Sequence, residues 1–200
     1  MKDSEGELAV RLAREVVDAE AKGRACGHVD APGSFREKRG VFVTLSSYPG
    51  HMLRGCIGFP EPIFSLGSAL VQAAQHACHD PRFPDLDAGE LDDIVVEVSI
   101  LTPPQEIVVE DPQELPLVVE VGKDGLIAER GPFRGLLLPQ VPVEWGWGAE
   151  EFLSQTCVKA GMGPDAWKDG RTRFYKFQAD VFAEEAPRGQ VSRKELGGCR

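Results

Sequence analysis

Apolar residues recur four apart near the start of the chain, at Leu8, Leu12 and Val16, with Ser4 ahead of them and Gly23 behind. A single stripe at this spacing predicts an amphipathic helix that Gly23 can close. Residues 24 to 39 are mixed and charged and read as a loop. Two strand-like runs follow, Val41–Ser46 and Met52–Gly58, and the turn chemistry of Tyr48-Pro49-Gly50-His51 makes them a hairpin. From Ile63 to Asp80, Leu66, Leu70, Ala73 and Ala77 return at helical spacing until Pro81 stops the run.

Asp93 to Leu101 places Ile94, Val96, Val98 and Ile100 on one face, with Val95 and Leu101 partly greasing the other, which predicts a central strand. Pro103-Pro104 breaks it, and the stretch to Val121 reads as short elements covering an edge. Leu126–Arg130 and Gly135–Leu138, bracketed by Asp124-Gly125, Gly131-Pro132 and Pro139, predict a second hairpin. Ala149 to Ala160 carries Phe152, Leu153, Thr156 and Ala160 along one helical face, with Gly161 as the cap. Alternation of Tyr175, Phe177, Ala179 and Val181 predicts one last strand over Arg173–Phe182, and the polar tail from Glu184 is expected to fray. The order of helix, hairpin, helix, strand, hairpin, helix and strand lacks the alternation of a parallel doubly wound sheet, so the expected class is α+β with antiparallel sheet.

Length and charge narrow the picture. The 200 residues suit one large domain or a two-lobed chain. A net charge of −10 disfavours a nucleic-acid backbone or an anionic membrane surface as partner. No run approaches the roughly 20 apolar residues of a membrane span, and the polar start MKDSEGEL is unlike a signal peptide. Cys26, Cys56, Cys78, Cys157 and Cys199 are odd in number and never paired as CxxC, which fits reduced thiols and a cytoplasmic location. No glycine-rich phosphate loop is present, and nothing implies a particular cofactor.

The chemically unusual stretch is Leu53-Arg54-Gly55-Cys56-Ile57-Gly58, where two glycines weaken a strand and call for something to approach closely. Alternation puts Arg54, Cys56 and Gly58 on one face, and a guanidinium beside a thiol would favour the thiolate and make Cys56 a nucleophile or redox sensor. The competing reading is a small buried cysteine with Arg54 paired to a carboxylate. His76, Cys78 and His79 resemble a metal set, but the histidines fall off the apolar stripe and supply only two ligands, so no metal is assigned. Asp80, Glu97, Glu129, Glu144, Glu150 and Glu151 are possible acids and bases without a defined separation. Glu144-Trp145-Gly146-Trp147, read as a helix-entry loop, can form a pocket wall or cap the core. Cys157 reads as a core thiol.

These motifs together resemble the AMME-chromosomal-region protein family, the AMMECR-one domain. The resemblance is carried by LRGCIG at Leu53–Gly58, Asp80-Pro81-Arg82-Phe83-Pro84, VEVSILT at Val96–Thr102, Asp124-Gly125-Leu126-Ile127, GLLLPQV at Gly135–Val141, Glu144–Trp147 and FLSQTCVKAG at Phe152–Gly161. It implies an α+β fold of two unequal lobes, each an antiparallel sheet with helices, separated by a cleft. The larger lobe is built from both chain ends and the smaller from a middle segment. The LRGCIG side chains, Leu53, Gly55, Ile57 and Gly58 among them, are expected to line that cleft. Some relatives occur beside or fused to Memo-like and radical S-adenosylmethionine proteins, which implies a shared pathway. His51, His76, His79, Cys26, Cys78 and Cys199 are not motif positions, so Cys56 inherits no histidine partner.

Three functional expectations follow. The first is an enzyme acting in the cleft, with Cys56 as nucleophile or redox-active thiol, Arg54 as its activator or a substrate-carboxylate clamp, and Glu144 as acid or base. The second is a non-catalytic module that binds a peptide or protein through Arg54, Trp145 and Trp147. In the third, LRGCIG serves only tight packing.

Overall fold

A computed structural model of the chain describes residues 1–24 and 33–194, so Cys26 and Cys199 lie outside the described residues. The fold is α+β with two antiparallel sheets, and the chain divides into two compact units. Unit 1 takes Met1–Leu101 and Asp180–Lys194, and unit 2 takes Thr102–Ala179.

In unit 1, helix α1 (Asp3–Ala21) ends where Gly23 adopts a positive φ of 62°, as the glycine there requires. The hairpin of β1 (Val41–Ser47) and β2 (Leu53–Phe59) leads into α2 (Leu66–Cys78) and then β3 (Ile94–Leu101). These strands join β8 (Ala179–Glu184) and β9 (Val191–Lys194) in one sheet ordered β2-β1-β3-β8-β9. β1 is antiparallel to both β2 and β3, β3 is interior between β1 and β8, as its doubly apolar pattern predicts, and β2 is an edge. The apolar stripes of α1 (Ala9, Ala13, Val16, Val17) and α2 (Leu66, Leu70, Ala73, Ala77) are fully buried in one cluster with Val43, Leu45, Val96 and Val98. Ile57 packs against this cluster from β2.

Unit 2 orders its sheet β4-β7-β5-β6, from β4 (Gln105–Ile107), β5 (Gly125–Arg130), β6 (Phe133–Leu137) and β7 (Arg173–Phe177). Short α3 (Leu115–Val118) and α4 (Gln140–Trp145) precede α5 (Ala149–Lys159), whose Phe152, Leu153 and Cys157 meet Leu126, Ala128 and Phe174 in the core. No helix among the described residues is long and apolar enough to cross a membrane.

Four expectations are corrected. The predicted strand over Arg173–Phe182 is two strands in different sheets, β7 and β8, because the chain changes sheets at Gln178. Alternation persists across the break because both halves have a buried face. The tail does not fray at Glu184, since residues Val191–Lys194 form β9 against β8. Glu144 and Trp145 lie at the end of α4 and not in a loop. The second helix begins at Leu66, later than Ile63, and Ile63 stays 58% exposed.

An unpredicted element holds unit 1 together. Arg14 and Glu184 are buried at 6% and 4% exposure and are paired through the Arg14 Nη2 and Nε groups. Arg14 also donates to the carbonyls of Ile94 at 2.7 Å and Leu91 at 3.3 Å, while Glu184 accepts the Val96 N–H at 3.0 Å. One ion pair thereby satisfies backbone groups of β3 and links α1, β3 and β8. Glu184→Ala, which strands a buried guanidinium, is expected to cost about 3–5 kcal/mol in urea unfolding. A loss below about 1 kcal/mol, the scale of an exposed pair, would show that this lock is not structural.

Candidate functional site

Edge strand β2 carries the LRGCIG motif, and its Arg54 guanidinium and Cys56 backbone and thiol all have partners within unit 1. Gly55 faces α2. A Cβ there would lie 2.3 Å from the Ala77 carbonyl oxygen, so glycine lets the end of the helix rest on the strand. Two residues beyond that end, Asp80 reaches the strand edge. Its Oδ2 accepts the Cys56 N–H at 2.9 Å, and Arg82 Nη2 donates to the Cys56 carbonyl at 3.2 Å. Arg82 is itself bidentate on Asp80, with Nη2 at 2.6 Å and Nε at 3.0 Å, and its own N–H adds a bond of 3.1 Å. The DPR sequence therefore does by side chain what a neighbouring strand would do by backbone. It pairs the outward N–H and C=O of an edge residue.

Arg54 is held in the same manner. Its guanidinium is bidentate on Glu90 at 2.7 and 2.8 Å and donates to the Asp85 carbonyl at 3.2 Å. Glu90 also accepts the Asp87 N–H at 2.9 Å in a capping box around the 3-10 turn Ala88–Glu90. The remaining glycine, Gly58, points to the other face, where a Cβ would sit 2.4 Å from the Phe42 ring. The close approach expected at both glycines thus comes from the protein itself. Leu53, at the start of β2, is 42% exposed.

On the face away from α2, Cys56 stands opposite Thr44, and Thr44 opposite Glu97, in a row across β2, β1 and β3. The Thr44 hydroxyl donates to the Cys56 sulfur at 3.2 Å. Burial pushes the Cys56 thiol up, against the smaller opposing effects of that hydroxyl and of Arg82. Asp80 and Glu97 add to the rise. The cation that favours the thiolate is therefore Arg82 and not Arg54, and Asp80 beside it acts in the opposite direction. This differs from the expected thiolate. It follows from two facts that spacing cannot show, the burial of the sulfur and the prior claim of a carboxylate on each arginine. Glu97 is likewise pushed up by burial, with only Lys194 opposing. Asp80 is held far below the usual carboxylate range, first by its bonds with Arg82 and then by the Cys56 N–H.

The other candidates separate. Cys78 and Cys157 are buried thiols raised by that burial to about 12 and about 11. His79 is clipped between Glu20 at 3.1 Å and Asp85 at 3.0 Å, and its pKa is raised by those two bonds. Among the described residues no group of three or more His, Cys, Asp or Glu gathers to hold a metal.

Glu144, Trp145 and Trp147 belong to unit 2. Gly146 takes a positive φ of 66° at the end of α4, and the Trp147 N–H turns back to the Pro142 carbonyl at 2.8 Å. This left-handed cap stacks the two indoles, with centroids 6.0 Å apart and an interplanar angle of 18°. Trp147 packs against the unit 2 core, whereas Trp145 is 70% exposed. Glu144 is exposed beside it.

Sequence reasoning named Asp80 and Glu97 only as loose carboxylates and missed Thr44, Arg82 and Glu90 as neighbours of the motif. The one available signal was the DPRFP motif itself.

A family model for AMMECR1 matches residues 10–182. The chain is 54% identical to a protein of Thermococcus gammatolerans and 52% identical to Protein PH0010 of Pyrococcus horikoshii, in each case over 98% of both chains. It is 51% identical to Protein MJ0810 of Methanocaldococcus jannaschii over 96% of both. The crystal structure of the uncharacterized protein PH0010 superposes with a TM-score of 0.87, covering 98% of this chain and 99% of that one.

Two outcomes test the site. Alkylation of Cys56 in the folded protein is expected to show a midpoint above the roughly 8.5 of a free thiol, and a midpoint well below it would restore a nucleophile. Asp80→Asn is expected to lose about 2 kcal/mol of stability at pH 7, the scale of one buried charge-assisted hydrogen bond. Because the folded Asp80 pKa is depressed, its stabilisation is present above the unfolded value and fades as pH falls toward the folded one. Urea melts of the two proteins should therefore converge below about pH 4. A pH-independent difference would contradict the clamp.

Proposed function

The chain belongs to the AMMECR1 family, and from that premise we propose that it acts as a binding module for a protein or peptide, with Trp145 as the anchor of the contact surface. The observation that carries this reading is the 70% exposure of an indole that is nonetheless fixed in place by its stack on Trp147. A large apolar ring held rigid in water loses little further freedom on association, and tryptophan is enriched at the centres of binding surfaces.

The enzyme reading needs a thiolate at Cys56 and an arginine free to create it. Arg54 is committed to Glu90, Arg82 to Asp80, and burial favours the neutral thiol. In the binding reading Cys56 is a small side chain that fits its row, and Arg54 is a brace and no longer one of the anchors.

Selection of displayed random peptides on the full chain tests this directly. Peptides enriched on the native protein are expected to bind Trp145→Ala more weakly by roughly thirtyfold, the loss of about 2 kcal/mol typical of a central anchor. Cys56→Ser should change their affinity by less than about twofold, within the 0.5 kcal/mol of a neutral substitution. Failure to enrich any peptide, or dependence on Cys56 and not on Trp145, would overturn the reading.

A further inference from the structure

Unit 2 contains a small polar cavity that the surface around Trp145 does not use. It measures about 200 Å³ and is lined by Thr102, Gln105, Asp124, Lys176, Phe177 and Gln178. It lies where the ends of β4, β7 and β5 converge, with Gln105 paired to Lys176 and Gly125 to Phe177. The Asp124-Gly125 motif marks this spot. Gly125 is required because a Cβ would meet the Phe177 ring at 2.3 Å, and Asp124 beside it is 1% exposed.

Asp124 is a buried carboxylate with unused capacity. Its Oδ1 accepts from Gln178 Nε2 at 3.2 Å and its Oδ2 from the Glu120 N–H at 3.0 Å. A carboxylate offers about four acceptor sites, so roughly half remain open. Lys176 forms an ion pair with Oδ2 at 3.6 Å, longer than a hydrogen bond, and donates to the Val118 carbonyl at 3.1 Å from a side chain that is 35% exposed. Thr102 Oγ1 accepts the Gln178 N–H at 2.8 Å, which leaves its own O–H to donate.

A buried anion with open acceptor sites and the partly exposed cation of its long ion pair thus border one cavity beside a hydroxyl free to donate. A buried charge is tolerated when paired, and a ligand bearing both signs at short separation adds a closer partner to each group without adding net charge. We propose that this cavity binds a small zwitterion of the α-amino-acid class, with its ammonium on Asp124 and its carboxylate on Lys176 and the Thr102 hydroxyl. The volume lies below the roughly 300–1,000 Å³ of sites for drug-sized ligands. Glycine, alanine and serine are therefore the expected occupants.

Titration of the 15N-labelled full chain with glycine, L-alanine and L-serine, followed by two-dimensional NMR, tests the site. Saturable shifts are expected at the backbone amides of Thr102, Gly125 and Gln178. Acetate and methylammonium, each carrying one of the two charges, should bind at least about tenfold more weakly, the loss expected for one charge-assisted hydrogen bond. Asp124→Asn should remove binding. Because Asp124 also holds the Glu120 turn, Lys176→Met serves as the second variant. It retains both Asp124 bonds and should weaken glycine by at least about tenfold while the amide spectrum stays folded. The proposal is overturned by the absence of saturable shifts at about 0.1 M amino acid, where even a millimolar site would fill. It is equally overturned by acetate binding as tightly as glycine, or by unchanged affinity in Lys176→Met.

Discussion

Unit 1 turns on the carboxylate of Asp80. An edge strand presents unpaired backbone groups, and β2 is an edge that also contains two glycines. Asp80 and Arg82 supply at Cys56 the acceptor and donor that a further strand would have provided. Three sequence features serve that arrangement. Gly55 admits the carbonyl end of α2, Pro81 ends the helical run so that the chain can turn, and Arg82 neutralises the acid it helps to position. LRGCIG and DPRFP are accordingly two halves of one structural device.

The same device settles the electrostatics around the motif. A cysteine becomes a nucleophile when a cation or helix N-terminus is free to stabilise its anion. Around β2 both arginines are bound in bidentate pairs, so each positive charge arrives with its own negative one. What remains at Cys56 is desolvation, which favours the neutral thiol. Glu97, two strands away in the same row, responds to burial in the same direction. Cys56, Thr44 and Glu97 thus form one polar row across β2, β1 and β3 in which burial shifts both titratable members toward their protonated forms.

Most of the fold was legible in the sequence because it rests on local periodicity. The stripe of α1, the two hairpins, the interior pattern of β3 and the face of α5 all follow from spacing. The failures share a cause. Alternation through Gln178 is continuous although the sheet beneath it changes, so no local pattern marks the switch from β7 to β8. β9 is polar because it is an edge, and a polar strand looks like a tail. Arg14 and Glu184 are ordinary charged residues until 170 positions of chain bring them together. At the site, alternation correctly put Arg54 and Cys56 on one face of β2. Same-face placement does not reveal a third group, and Glu90 and Asp80 had already taken the two cations. Trp145 and Trp147 were legible as a pair, since glycine between two aromatics permits the left-handed turn that stacks them.

The central claim is that Asp80 pairs the outward edge of β2 at Cys56, and native-state hydrogen exchange of single amides tests it most directly. The Cys56 N–H is predicted to exchange only through openings as costly as those of the β1 and β3 amides. In Asp80→Ala, which removes the acceptor, it should lose that protection while β3 keeps its own. A Cys56 amide that exchanges freely in the native protein, as an unpaired edge group would, contradicts the account.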